Sequence, residues 1–390
     1  MTWEERDRPA ETVFFESPAA FAADMAPRPE TFLLAGVMPA MDFGERRVEV
    51  EGAICPELLH GVEAAFRVIT GWFPELTPPA IEPTRGTTPA TPRTPPRVAS
   101  FMSGGIDALT TLRSNRLDFP LDHPAALHDG FFLFGFNTYD FDASEPVPER
   151  VEDFEIRLAR MAGIAREARI ELIPVFTNVR FLARDFPSWN RHGMGAGLAA
   201  VGHVFAGRIS RLLIGSAGYR GLGPPQGTHA LLDPHYGNGA LEVRHDGLWM
   251  SRLEKTALLT EWDSAMAIVQ SCQQHQIIRE SINCGRCNKC LRTMIHLAAL
   301  GKLDRAPSFS VQALTVEMIR ATPITRKEDV GYLEPCIELF VQRGRPDLAA
   351  ALRSWLEDES ARLGPAPPPR GWRGRVRQWD ERVTGGVVTR

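Results

Sequence analysis

The chain has no long apolar run: nothing in its 390 residues approaches the roughly eighteen consecutive apolar residues that cross a bilayer. Its opening, Met1-Thr2-Trp3-Glu4-Glu5-Arg6-Asp7-Arg8, has neither the basic head nor the apolar core of a signal peptide. A cytoplasmic protein with no membrane partner is expected. Positive charge is also short. The formal net charge is −4 and the pI about 6.2, which gives no strong nucleic-acid signal. Lysine is scarcest, only Lys255, Lys289, Lys302 and Lys327, so each marks a place where a compact ammonium was kept in a chain that otherwise writes arginine. Two nucleotide fingerprints are missing as well: no G-x-x-x-x-G-K-[ST] and no G-x-G-x-x-G occurs.

What is present reads as globular, with 44% hydrophobic and 24% charged residues. Residues 1–76 read as a small α+β unit, with alternation in Arg47–Glu51 predicting a strand and Pro56-Glu57 opening a helix to about Thr70. Residues 77–96 are rich in Pro and Thr and read as a linker. From Arg97 the pattern becomes strand, helix, strand. Strands are predicted at Val98–Met102, Gly130–Phe136, Ile170–Phe176 and Arg211–Gly215, with helices at about Asp107–Arg116, Val151–Ala168 and Ala196–Gly207. This is an α/β class with a parallel, doubly wound sheet, whose ligands sit at the carboxyl ends of the strands. Residues 251–362 read as a helical C-terminal region, with helices at about Leu253–Gln270 and Leu291–Leu300 and two more between Leu333 and Glu359. Residues 363–390 read as a mobile Pro/Arg-rich tail. The many charges of Pro148–Arg166 read as a solvated helix face.

Two local motifs carry chemistry. Ser103-Gly104-Gly105-Ile106-Asp107 lies between a buried strand and a helix start, where the glycines turn the backbone and bring N–H groups and a helix N-terminus to one point. Ser103 can donate its hydroxyl to an anion; Asp107 can brace the loop or help hold Mg²⁺. The second motif is Cys272 followed by Cys284-x2-Cys287-x2-Cys290. Chance gives the C-x2-C-x2-C part about once in a thousand such chains. Four thiolates close a tetrahedral Zn²⁺ site with no open position, which is structural in character; an iron–sulfur cluster on the same ligands is the alternative.

Together with Leu253-Glu254-Lys255-Thr256, these motifs resemble the PP-loop ATP pyrophosphatase superfamily, closest to the branch like 7-cyano-7-deazaguanine synthase, over about residues 97–300. The resemblance implies a HUP-type fold, an ATP-binding domain at 97–250 and zinc on Cys272, Cys284, Cys287 and Cys290. It puts the pyrophosphate of ATP on Ser103, Gly104, Gly105, Ile106 and Asp107, with Lys255 reaching phosphate oxygens and Asp107 and Lys255 as the catalytic pair. Adenosine would lie between Gly135-Phe136 and Gly215-Ser216. The implied reaction adenylates a carbonyl or carboxylate oxygen of a small-molecule or carboxylate-bearing acceptor, after which a nitrogen nucleophile displaces AMP. A sulfurtransferase on the same scaffold and a degenerate nucleotide-binding protein are the competing readings, and a homodimer is left open. The last serine of the family loop is replaced by Ala108, which removes a hydroxyl from the cradle. Asn178, Arg180, His192, His229 and Asp233 are candidates for binding the second substrate, Arg180 by pairing with a carboxylate and the histidines by carrying protons. The metal site is expected to lie apart from the chemistry.

Overall fold

The computed structural model describes residues 1–136, 140–142, 145–272, 282–321 and 328–363; the expected tail lies outside them from residue 364 onward. In chain order the strands are β1 (Phe15–Glu16), β2 (Arg47–Val50), β3 (Ala80–Pro83), β4 (Val98–Phe101), β5 (Leu127–Phe134), β6 (Phe141–Asp142), β7 (Glu145–Pro146), β8 (Glu171–Thr177), β9 (Arg211–Gly215) and β10 (Glu242–Asp246). The helices used below are α1 (Pro29–Phe43), α2 (Pro56–Trp72), α3 (Ile106–Asp118), α4 (Pro148–Ala168), α5 (Phe186–Ser188), α6 (Met194–Val204), α7 (Arg252–Leu259), α8 (Asp263–Ile268) and α9 (Asn288–Ala299).

Six strands form the central sheet in the order β1-β8-β5-β4-β9-β10. All neighbours are parallel except β1, which pairs antiparallel with β8. The chain lays β5 and β8 on one side of β4, then returns to place β9 and β10 on the other. The loops leaving β4 and β9 therefore part company, and the crevice between them is the topological switch point where such sheets bind ligands.

Residues along each strand alternate between two cores, as the period of two requires. Val98, Phe132, Phe134 and Leu213 face α3, α4 and the C-terminal helices, including Pro335–Gln342 and Pro346–Leu363. Ala99, Phe131, Ile173, Val175, Leu212 and Ile214 face the opposite way, against α1, α2 and α6. The N-terminal helices thus share a core with the sheet: α1 and α2 cover the face that α6 alone would leave partly bare. Within the stretch read as a linker, Ala80–Pro83 is a strand, paired in parallel with β2 away from the central sheet. The helix predicted over Leu253–Gln270 is broken into α7 and α8 by Thr260–Trp262, where the Thr260 hydroxyl donates back to the Ala257 carbonyl at 2.7 Å.

Candidate functional site

The loop after β4 turns at Gly104, whose φ of +74° only glycine adopts without strain, and Gly105 caps α3. Ser103 Oγ accepts from the Gly105 N–H at 3.3 Å, and the Gly104 carbonyl accepts from the Gln270 N–H at 2.8 Å, so the loop is tied to the segment that leads to Cys272. Asp107, in the first turn of α3, is held by two cations: Arg252 Nη2 at 3.0 Å and Lys255 Nζ at 3.3 Å. Lys255 also donates to the Ser216 carbonyl at 2.6 Å and to Ser216 Oγ at 2.7 Å. Its three N–H bonds therefore span the switch point, from the start of α3 to the end of β9.

Lys255 is buried, and burial pushes its ammonium below the ordinary lysine range, with Asp107 the largest opposing pull. It stands behind Asp107 and does not line the cavity in front of the loop; Arg252 does. Asp107, with a cation on each oxygen, braces the loop. Deeper still, Asp246 accepts from the Thr111 hydroxyl at 2.9 Å, and burial raises its pKa. Ala108 is buried in α3.

The cavity holds about 440 Å³ at the carboxyl edge of the sheet. Ser103, Gly105 and Asp107 of the loop line it, together with Phe136, Arg157, Cys272, Arg292 and His296. Gly135 has a backbone reason of its own: φ is +101°, and a Cβ there would come within 1.7 Å of the Thr177 carbonyl oxygen. Gly215 packs against the first turn of α3, where a Cβ would lie 3.2 Å from the Asp107 carbonyl oxygen.

The four cysteines converge. All four Sγ atoms lie within 4.8 Å of one another; Cys284 and Cys290 are 3.8 Å apart and Cys287 and Cys272 are 4.0 Å apart. Arms of about 2.3 Å in a tetrahedron put sulfurs about 3.8 Å apart, so the set fits zinc without rearrangement of the chain. The backbone N–H groups of Arg286 and Cys287 point at Cys284 Sγ from 3.4 and 3.3 Å, donors suited to a thiolate. Hydrogen bonding from Cys272 and then Cys290 holds the Cys287 thiol well below its usual range. A fully buried Asn283 builds the site: its Oδ1 accepts from Ser271 N and Cys272 N, and its Nδ2 donates to the Val269 and Ser308 carbonyls. The expectation that the metal site lies apart is corrected here, because Cys272 is also a wall of the loop's cavity.

The five candidates for the second substrate are elsewhere; none lines that cavity. Asn178 joins the N-terminal strand segment to the sheet, accepting from Phe14 N at 3.2 Å and donating to the Thr12 carbonyl at 2.7 Å. Arg180 is buried over the rings of Phe181 and Phe186. His192 Nε2 lies 3.0 Å from Asp42 of α1, both buried. Asp233 is fully buried, 2.7 Å from His245 Nδ1 and accepting from the His229 N–H, and burial raises its pKa. His229 packs edge-on against Trp72. Missed from sequence were Arg252, Asn283 and Arg157. For Arg252 the signal was available, three residues ahead of the scarce Lys255 on the same helix face.

No protein-family model, no curated protein and no solved structure matches the chain. Among the described residues no helix is long and apolar enough to cross a membrane.

Proposed function

We propose that the protein is a HUP-type ATP pyrophosphatase of the PP-loop kind, which activates a carbonyl or carboxylate oxygen of a small acceptor as its adenylate and then joins it to a nitrogen nucleophile. The observation that carries this reading is the loop Ser103–Asp107 at the switch point, tied across it to β9 by Lys255. The pyrophosphate portion of ATP lies on the loop N–H groups and the N-terminus of α3. The acceptor oxygen attacks the α-phosphorus, the bond to the β-phosphate oxygen breaks, and pyrophosphate leaves with the electron pair. The nitrogen nucleophile then attacks the carbonyl carbon of the adenylate. The bond from that carbon to the AMP oxygen breaks with its electron pair going to AMP, and the nitrogen gives up a proton. N–H groups aimed at the leaving pyrophosphate stabilise charge as it builds there. Arg252 presents a guanidinium to the same space, and Lys255 acts behind Asp107 as a positioning residue. Mg²⁺, where it accompanies ATP, would neutralise phosphate charge. Zinc on the four cysteines would fix the wall that includes Cys272.

Product analysis with α- and γ-labelled ATP, with and without ammonia and candidate carboxylates, tests the reading. AMP and pyrophosphate are expected; ADP as product rejects it. The sulfurtransferase reading draws support from Cys272 on the cavity wall, and it requires a cysteine or cluster sulfur free to react. Metal analysis separates the two: one zinc per chain on four thiolates leaves none free, whereas iron with acid-labile sulfide favours sulfur chemistry. ATP binding without turnover of any acceptor favours the degenerate binder, for which Ala108 is the observation.

A further inference from the structure

Helix α4 runs past the phosphate loop. A Cβ on Gly104 would lie 3.4 Å from Met161 Sδ, which places the middle of α4 beside the turn of the loop. Arg157 is one helical turn before Met161. A crossover helix between parallel strands runs back from their carboxyl ends, so that earlier turn is nearer the ligand edge. Helical side chains lean toward the helix N-terminus, which carries the guanidinium further the same way. Consistent with this, Arg157 shares the 440 Å³ cavity with Ser103, Gly105 and Asp107.

The guanidinium is poorly matched within the protein. Its Nε donates to the Asp153 carbonyl at 3.2 Å, while the Asp153 carboxylate is taken by Arg150, also at 3.2 Å. Nη2 is buried with no hydrogen-bond partner among the described residues. No carboxylate among them comes within salt-bridge distance of Arg157; Asp140 and Asp153 act on it only through longer-range attraction, against a burial that lowers its pKa. A partly buried cation without a paired anion is costly unless a ligand supplies the charge. Of the other cations that line the cavity, Arg252 is held by Asp107 at 3.0 Å, whereas Arg157 has no such pair among the described residues.

We propose that Arg157 is a phosphate ligand of this site, gripping the terminal pyrophosphate of ATP from the α4 side of the cavity. The assignment rests on the phosphate-loop reading above. A planar guanidinium can engage two phosphate oxygens at once, which a lysine cannot reproduce, and it would hold the anion between the loop N–H groups and α4.

The test is calorimetric titration of inorganic pyrophosphate and, separately, AMP into the full-length wild type, Arg157→Gln and Arg157→Lys, with the melting temperature of each. Arg157→Gln is expected to weaken pyrophosphate binding by about ten- to a hundredfold, the usual loss for a charge-assisted bond, with AMP affinity unchanged. Arg157→Lys should show a smaller loss of the same kind, and it carries the test if the glutamine variant does not fold. Pyrophosphate affinity equal to wild type in the folded variants overturns the role of Arg157 and leaves the phosphate loop standing. Equal losses for pyrophosphate and AMP also overturn it, since they indicate damage to the site as a whole. Failure of the wild type itself to bind pyrophosphate overturns both.

Discussion

Two sets of polar groups, one under the α1/α2/α6 face of this sheet and one at its carboxyl edge, differ in what they are paired with. On the α1/α2/α6 side, His192 meets Asp42, and Asp233 meets His245 and the His229 N–H. The first contact ties α1 to the helical turn before α6, and the second ties the segment before β10 to that strand. At the switch point, Ser103 and Gly105 of the glycine loop, Arg252 and Arg157 line one cavity. Both sets contain residue types used in catalysis. His245 of the first set lines a second cavity, but its Nδ1 is taken by Asp233 at 2.7 Å, whereas Arg157 Nη2 of the second has no partner among the described residues. Residue type therefore identifies a candidate, and the destination of its polar atoms separates a structural role from a binding one.

The contrast is sharpest at the cysteines, which belong to both classes. Metal binding at such a site contributes about 10 kcal/mol to local folding. Replacing Cys284 with Ser, or stripping the metal with a chelator, should therefore cause the largest loss of stability of any change considered. Because Cys272 is a cavity wall, pyrophosphate affinity should fall with it. Thermal melts and pyrophosphate titration before and after chelation check this; metal-free protein with an unchanged melt and unchanged affinity would show that the cysteines do not hold a structural ion.

Asp233→Ala probes the packed set. It strands a buried histidine and a buried N–H, a loss of about 3 kcal/mol or more. The melting temperature should drop while pyrophosphate affinity of the folded protein stays at the wild-type value. Weakened pyrophosphate binding at temperatures where the variant is folded would erase the distinction between the two sets.

Lys255→Met probes the other set. Its ammonium holds Asp107 and Ser216 together across the switch point, so its removal should slow AMP formation by roughly a hundredfold, the usual cost of losing one electrostatic contact that organises a transition state. The labelled-ATP assay reads this directly, and turnover within a few-fold of wild type would remove Lys255 from the mechanism.

Much of this arrangement was legible in the sequence. Local rules sufficed for the β4, β5, β8 and β9 strands, the turn before α3 and the cysteine spacing, because each depends on neighbours in the chain. The remainder depended on distant partners. Helix α1 is buried nearly all round, from Glu30 to Asp42, and carries Pro39 in its interior, so it shows no amphipathic period to detect. Strand β10 alternates weakly, as Glu-Val-Arg-His-Asp at the sheet edge. The charges of α4 read as solvent-facing because periodicity cannot tell a cavity filled with water from bulk water, and Arg157 was hidden among them. The polar candidates after β8 looked like ligands for the converse reason: nothing in the local sequence reveals Asp42 opposite His192 or Thr12 opposite Asn178.

The smallest expected effect concerns His296, which lies on the cavity wall but is built like the packed set. Its Nε2–H donates to the Tyr332 carbonyl at 2.9 Å, and its Nδ1 is buried without a partner among the described residues. Burial, the largest influence, pushes its pKa from 6.5 down to about 4. The unfolded chain therefore binds a proton between those values that the folded chain does not. Its contribution is fully present above pH 6.5 and is lost as pH falls toward 4, reaching about 2 kcal/mol at pH 5. Thiolate protonation at the metal site lowers stability in the same direction, so wild type alone cannot isolate the effect. Comparison with His296→Asn can, because the asparagine amide can still donate toward the Tyr332 carbonyl but does not titrate. Urea unfolding at pH 7.5 and pH 5 should show a smaller drop for the variant, by about 2 kcal/mol. Parallel losses in the two proteins would mean that His296 is not the group that titrates.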